Sequence, residues 1–171
     1  MAMVIETEVD LSKTGQFQTT VASQCGTCVM CCITTNIPEL AKPSWTICTH
    51  CTGTNCSIYQ MRPESCRTFE CGWYRYPELI DELRPDRCGI MIEILDRTHV
   101  ILAVVDPKRP DAWRVPLVTT WLRQFVDSGH PVIVTAGPGM RNYYLIRGQQ
   151  DVAAVNGVIK GMTEAASQRM G

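Results

Sequence analysis

No apolar run in this chain approaches the roughly 18 residues that a membrane-spanning helix needs, so no transmembrane segment is expected. The opening residues, MAMVIETEVD, carry Glu6, Glu8 and Asp10 where a secretory leader places a basic residue and then an apolar stretch. A soluble, cytoplasmic protein is the expectation. Neither sign of charge is in excess, with 16 basic side chains against 17 acidic ones. That removes the sequence-wide electrostatic case for nucleic acid or an anionic membrane surface as a partner. Cysteine is missing altogether after Cys88, whereas a secreted disulfide scaffold spreads its bridges through the chain. At 171 residues and 45% hydrophobic content, there is room for one ordinary core, or for a small core with a cross-linked subdomain.

What the chain does have is a concentration of thiols. Nine of its ten cysteines fall between residues 25 and 71: Cys25, Cys28, Cys31, Cys32, Cys48, Cys51, Cys56, Cys66 and Cys71. Cytosolic thiols are kept reduced, and adjacent cysteines such as Cys31 and Cys32 are badly placed to bridge each other. Metal binding is the better reading. Cys25-x2-Cys28-x2-Cys31 and Cys48-x2-Cys51 each bring sulfurs together across a tight turn, which is how a pair of thiolates holds a metal. Gly26, Gly53 and the threonines around them are turn formers. The triple spacing with a remote fourth thiol is also that of an iron-sulfur site. Two zinc sites of four thiolates each, a [4Fe-4S] cluster plus zinc, and a binuclear thiolate cluster all remain open. Neighbouring Cys31 and Cys32 argue for more than one mononuclear ion.

The motif Cys25-x2-Cys28-x2-Cys31-Cys32, followed by Cys51-x4-Cys56-Ser57-Ile58-Tyr59-x2-Arg62-Pro63-x2-Cys66-Arg67-x-Phe69, resembles the YkgJ-like CxxCxxCC family, whose members are described as zinc- or iron-chelating. The resemblance covers residues 25 to about 71. It implies a metal-chelating domain and does not supply a reaction. Carried onto this chain, it implies Cys25, Cys28, Cys31, Cys32, Cys51, Cys56 and Cys66 as ligands. Cys48 joins them through its spacing to Cys51, then Cys71; Cys88 comes last, as a late ligand or as a thiol activated by Arg84 and Arg87. His50, inside Cys48-Thr-His-Cys51, can ligate through nitrogen, although an exposed loop histidine is the simpler reading. His99 and His130 are read as structural.

Clustered thiolates carry more negative charge than divalent ions neutralise, so Arg62 and Arg67 are expected beside the ligands, donating N–H groups to sulfur. Pro63 suits the first turn of a short helix, MRPESCRTF, carrying Cys66. Tyr59, Phe69, Trp73, Tyr74 and Tyr76 read as an aromatic collar that keeps water from the cluster.

The remainder has a different texture. GIMIEIL (89–95) and HVILAVV (99–105) predict two strands joined by a turn at Asp96-Arg97-Thr98. LVTTWLRQFVDSG (117–129) predicts an amphipathic helix with Leu117, Trp121, Leu122 and Phe125 on one face. PVIVTA (131–136) and NYYLIR (142–147) predict a second strand pair around Gly137-Pro138-Gly139, and residues 151–168 a closing helix capped by Asp151. The Gly-rich turn lacks the lysine and the strand-to-helix setting of a phosphate-binding loop. The expected fold class is α+β: a polar arm over 1–20, a cysteine-rich metal-binding subdomain over 21–88, and a small ββαββα core over 89–171, with helices layered on one sheet.

No nucleophile with a base stands out, so no catalytic constellation is assigned. The metal expected is zinc, with a [4Fe-4S] cluster as the alternative. Three roles follow. The metal is structural and the α+β half is an interaction module for a protein partner; or an iron-sulfur cluster serves a partner enzyme; or the thiolates store and deliver metal.

Overall fold

The computed structural model describes residues 25–76, 79–95 and 98–167. The polar arm expected over residues 1–20, and Asp96 and Arg97 of the expected hairpin turn, lie outside them. Four short helices occupy the first part: α1 (Met30–Thr34), α2 (Glu64–Thr68), α3 (Gly72–Arg75) and α4 (Pro85–Cys88). The second part runs β1 (Ile90–Leu95), β2 (Val100–Val105), α5 (Pro116–Asp127), β3 (Val132–Thr135), β4 (Tyr143–Leu145) and α6 (Gln149–Ser167). This is the expected ββαββα order, and the class is mixed α+β.

The strands form one four-stranded sheet in the order β1-β2-β3-β4. β1 pairs antiparallel with β2, β2 parallel with β3, and β3 antiparallel with β4. The parallel step needs a crossover, which α5 provides. β2 and β3 are apolar on both faces because both faces are covered. Ile90, Ile92, Ile101, Ala103, Val105, Val132 and Val134 turn to one side, against Val118, Trp121, Leu122, Phe125 and Val126 of α5. Met91, Val100, Leu102, Val104 and Ile133 turn to the other, against Val155 and Val158 of α6 and Met30 of α1. The long helices thus lie on opposite sides of the sheet.

Trp121, Leu122 and Phe125 form the apolar stripe of α5 as read in the sequence, and only its first position differs. Leu117 is 43% exposed and Val118 takes its place in the core. Pro116 sits in the first turn, where its missing N–H costs nothing. The helix stops where Gly129 adopts φ +96°, with His130 N–H bonded to the Phe125 carbonyl and Gly129 N–H to that of Val126, a Schellman ending. Asp151 lies within the first turn of α6 rather than before it, and its carboxylate accepts from the Arg147 backbone N–H at 2.8 Å.

The cysteine-bearing segment rests on the α6 side of the sheet. Cys28, Cys31, Trp45, Phe69 and Cys71 pack around the same core as Met30 and Met91. Gly137, at φ +115°, lets the β3–β4 loop approach Trp45 so closely that a Cβ there would lie 2.9 Å from the indole.

Candidate functional site

Turns place the thiols. The Cys28 N–H bonds the Cys25 carbonyl at 2.9 Å and the Cys51 N–H bonds that of Cys48 at 3.0 Å, so two of the three x2 spacings, Cys25–Cys28 and Cys48–Cys51, close in tight turns. Cys51 and Cys56 face each other across an antiparallel bridge, which puts their side chains on one face. The intervening turn is locked by Thr52, whose N–H bonds the Asn55 carbonyl and whose hydroxyl accepts from the Asn55 N–H, with Gly53 at φ +90°. Cys31 and Cys32 sit in the first turn of α1, and the Cys48 N–H bonds the Cys32 carbonyl at 2.9 Å, tying the two knuckles together. Cys66 rides on α2, with Pro63 just before its first helical residue. Glu39 anchors that helix by accepting from the backbone and hydroxyl of Ser65, at 2.9 and 2.7 Å.

These segments surround one open cleft of about 740 Å³, its mouth included. Cys25, Cys31, Cys32, Cys48, Cys56 and Cys66 line it together with His50. Tyr59, Phe69 and Arg62 share the wall. Cys51 is not in the lining but hydrogen-bonds through sulfur to Cys32, which also bonds Cys31. Cys28 and Cys71 lie outside the lining and within the core that continues under the sheet. Among the described residues, no three or more cysteine, histidine, aspartate or glutamate side chains converge as a formed metal-holding group, and all ten cysteines are free thiols.

Burial raises the pKa of Cys25, Cys28, Cys51 and Cys66, and takes that of Cys71 to about 11. Cys32 is pushed further up, first by its bond with Cys31 and then by burial. Acting against burial, backbone N–H groups point at sulfur: Met30 at Cys28, Gly53 at Cys51, and Tyr74 with Trp73 at Cys71. Arg62 draws the Cys25 and Cys66 thiols downward.

Other expected participants are placed differently. Arg67 turns away to Glu64, 2.7 Å distant and on the surface. Cys88 is not at the cleft: its sulfur lies 3.4 Å from the Leu83 carbonyl and 3.3 Å from that of Ile90, against the α5-side core. Burial raises its pKa on balance, and the cation that draws it down is Arg109 in place of the expected Arg84 and Arg87, which are committed to Asp86 and Asp81. The aromatic collar is divided, Tyr59 and Phe69 at the cleft and Trp73 against the other core. His50 lies with Nδ1 3.5 Å from the Ser57 hydroxyl, and His130 bonds the His99 carbonyl at 3.1 Å, a structural contact.

Two features were not read from the sequence. The Arg84–Asp86 pair, at 2.7 and 3.0 Å, supports the first knuckle: Asp86 accepts from Thr27 and its backbone N–H points at Cys28 sulfur. Lys42 is buried. Its only signal in the sequence is isolation, no other lysine occurring between Lys13 and Lys108. No family model, curated protein or solved structure matches this chain. No helix of the described residues is long and apolar enough to cross a membrane.

Proposed function

We propose that the cleft chelates metal through clustered thiolates, with zinc as the first choice and a [4Fe-4S] cluster as the alternative. The observation that carries this reading is the gathering of six cysteines on the wall of one cleft. A second detail fits the same donor set. The Tyr59 hydroxyl is buried at the cleft without a hydrogen-bond partner among the described residues, and a buried O–H wants an acceptor. A thiolate sulfur supplies one. Cys25, Cys31, Cys32, Cys48, Cys56 and Cys66 would hold the metal, with Cys51 joining through Cys32. The knuckle turns already fix the backbone, so rotation about χ1 is the remaining freedom by which the sulfurs converge.

In this reading the cysteine segment is a metal-binding subdomain of the YkgJ-like kind in a cytoplasmic protein, and the metal cross-links a segment poor in aliphatic residues. The α+β half then serves as an interaction module for a protein partner. When bound, zinc supplies cross-links alone, whereas an iron-sulfur cluster supplies one-electron transfer. The chain's own contribution is to hold the thiols, shield them with Phe69 and Tyr59, and lower the cost of thiolate charge with Arg62. Because the Cys25, Cys32, Cys51 and Cys66 thiols are pushed toward the protonated form, forming thiolate ligands from them releases protons, and affinity rises with pH.

Elemental analysis with an ultraviolet and visible spectrum, on protein purified without oxygen, tests the proposal. Zinc in a colourless solution supports the structural and interaction role. Iron with acid-labile sulfide and a brown absorbance makes redox service to a partner the correct reading. Absence of both zinc and iron overturns chelation.

A further inference from the structure

Cys51 and Cys56 stand opposite each other on a short hairpin whose hydrogen bonds fix the kind of pair they make. The Thr52 N–H bonds the Asn55 carbonyl and the Ser57 N–H bonds the His50 carbonyl, both at 2.9 Å, so the ladder bonds flank the two cysteines instead of joining them. Their own N–H groups go elsewhere, Cys51 to the Cys48 carbonyl at 3.0 Å and Cys56 to the Asn55 side-chain oxygen at 2.7 Å. Cys51 and Cys56 are therefore a non-hydrogen-bonded antiparallel pair. Such pairs have Cα atoms about 4.5 Å apart and side chains on one face, inside the window of about 4.4–6.8 Å that a disulfide requires. Other neighbouring thiols are placed less well, since an x2 turn allows Cα separations up to about 7 Å and adjacent Cys31 and Cys32 are badly directed. The tip, Thr52 to Asn55, is exposed and the two cysteines are half-buried, which leaves them within reach of a small oxidant.

We propose that Cys51 and Cys56 are a peroxide-oxidisable pair whose disulfide withdraws two sulfurs from the cleft, so that metal uptake is redox-gated. The inference rests on the chelation reading above and adds its regulation. Hydrogen peroxide oxidises one thiol to a sulfenic acid, releasing water; the second sulfur then displaces the sulfenic hydroxyl, forming the S–S bond and releasing another water. Two thiols and one peroxide thus give one disulfide and two waters. Cys56 lies on the cleft wall and Cys51 bonds Cys32, so the link takes two donors from the proposed ligand set. A bound metal holds the same sulfurs and blocks the reaction. Because the tip is exposed, a thiol reductant reverses it.

The test uses the full chain, reduced and metal-free, treated with a stoichiometric amount of hydrogen peroxide, blocked by alkylation and mapped by mass spectrometry of unreduced peptides. The same map made in urea, where pairing follows separation along the chain alone, is the reference. Zinc uptake is read before oxidation, after it and after re-reduction with a phosphine. A Cys51–Cys56 link is expected as the main product, with a larger share than in urea. Zinc uptake is expected to be lost on oxidation and restored on reduction, zinc-loaded protein to resist the link, and Cys51→Ser to take up zinc equally before and after peroxide. No link, a main product joining other cysteines, or an equal share in urea overturns the pair, while zinc uptake by the reduced chain leaves chelation intact. Undiminished uptake by the linked protein, or the wild-type loss in Cys51→Ser, overturns the gate. A reduced chain that takes up neither zinc nor iron overturns chelation, and the gate with it.

Discussion

Asp151 shows how much one side chain settles. Its carboxylate accepts from the Arg147 guanidinium at 3.1 Å and from the Arg147 backbone N–H at 2.8 Å, and the side-chain bond is the larger cause of a pKa below the ordinary carboxylate value. A depressed folded pKa stabilises the protein fully above the unfolded value and is lost as pH falls through the folded one. The window therefore lies below about pH 4. Asp151→Asn is expected to be less stable than wild type near neutrality, with the difference vanishing in acid, as denaturant midpoints measured from pH 2 to 7 would record. The cysteines are equally unequal. Cys32 lines the cleft and bonds two other thiols, whereas Cys88 bonds only nearby backbone groups. Cys32→Ser is expected to lower the metal content of the purified protein and Cys88→Ser to leave it unchanged; equal metal loss from both would return Cys88 to the ligand set.

Short elements depend on close approach more than on propensity. Helix α3 opens on Gly72 directly over β1, where a Cβ would sit 2.8 Å from Ile92 Cβ and 2.9 Å from its Cγ2. Gly72→Ala gains about 1 kcal/mol of helix propensity but overpacks the contact by about 1–3 kcal/mol. Net destabilisation is expected, read as a lower melting temperature with an unchanged far-ultraviolet spectrum; a melting temperature at or above wild type would mean that Ile92 moves aside freely. That approach cannot be read from the letters, since Gly72 follows Cys71 like any turn residue. By contrast, the β-branched runs of β1, β2 and β3 and the Pro116-to-Gly129 span of α5 were legible, because period, length and end signals agree there. The x2 turns were legible as well. What sequence spacing could not give was direction: Arg67 and Cys88 lie within the cysteine-rich interval, yet a neighbouring glutamate and two backbone carbonyls hold them away from the cleft. Lys42 was missed for the opposite reason, since a lysine reads as solvated until the carbonyl cage of Ile33, Thr35 and Pro43 is seen around it.

At the level of the complete chain, the cysteine segment and the sheet share a core: Met30, Cys28, Cys31 and Cys71 pack with Met91, Leu102 and Val104 of the sheet and with Val155 of α6. Coupling through a common core means that whatever stabilises the cleft stabilises the whole. A ligand that binds only the folded state adds about 2.7 kcal/mol when its free concentration is a hundred times its dissociation constant. Removing metal with a strong chelator is therefore expected to lower the melting temperature of the entire protein in one transition, and restoring zinc to reverse the shift. Two separated transitions, with only the first sensitive to chelator, would show that the segment unfolds without the sheet. The shared apolar contacts would then be too weak to carry a signal from the metal to the α+β half, and a regulatory use of metal occupancy would have no physical route between them.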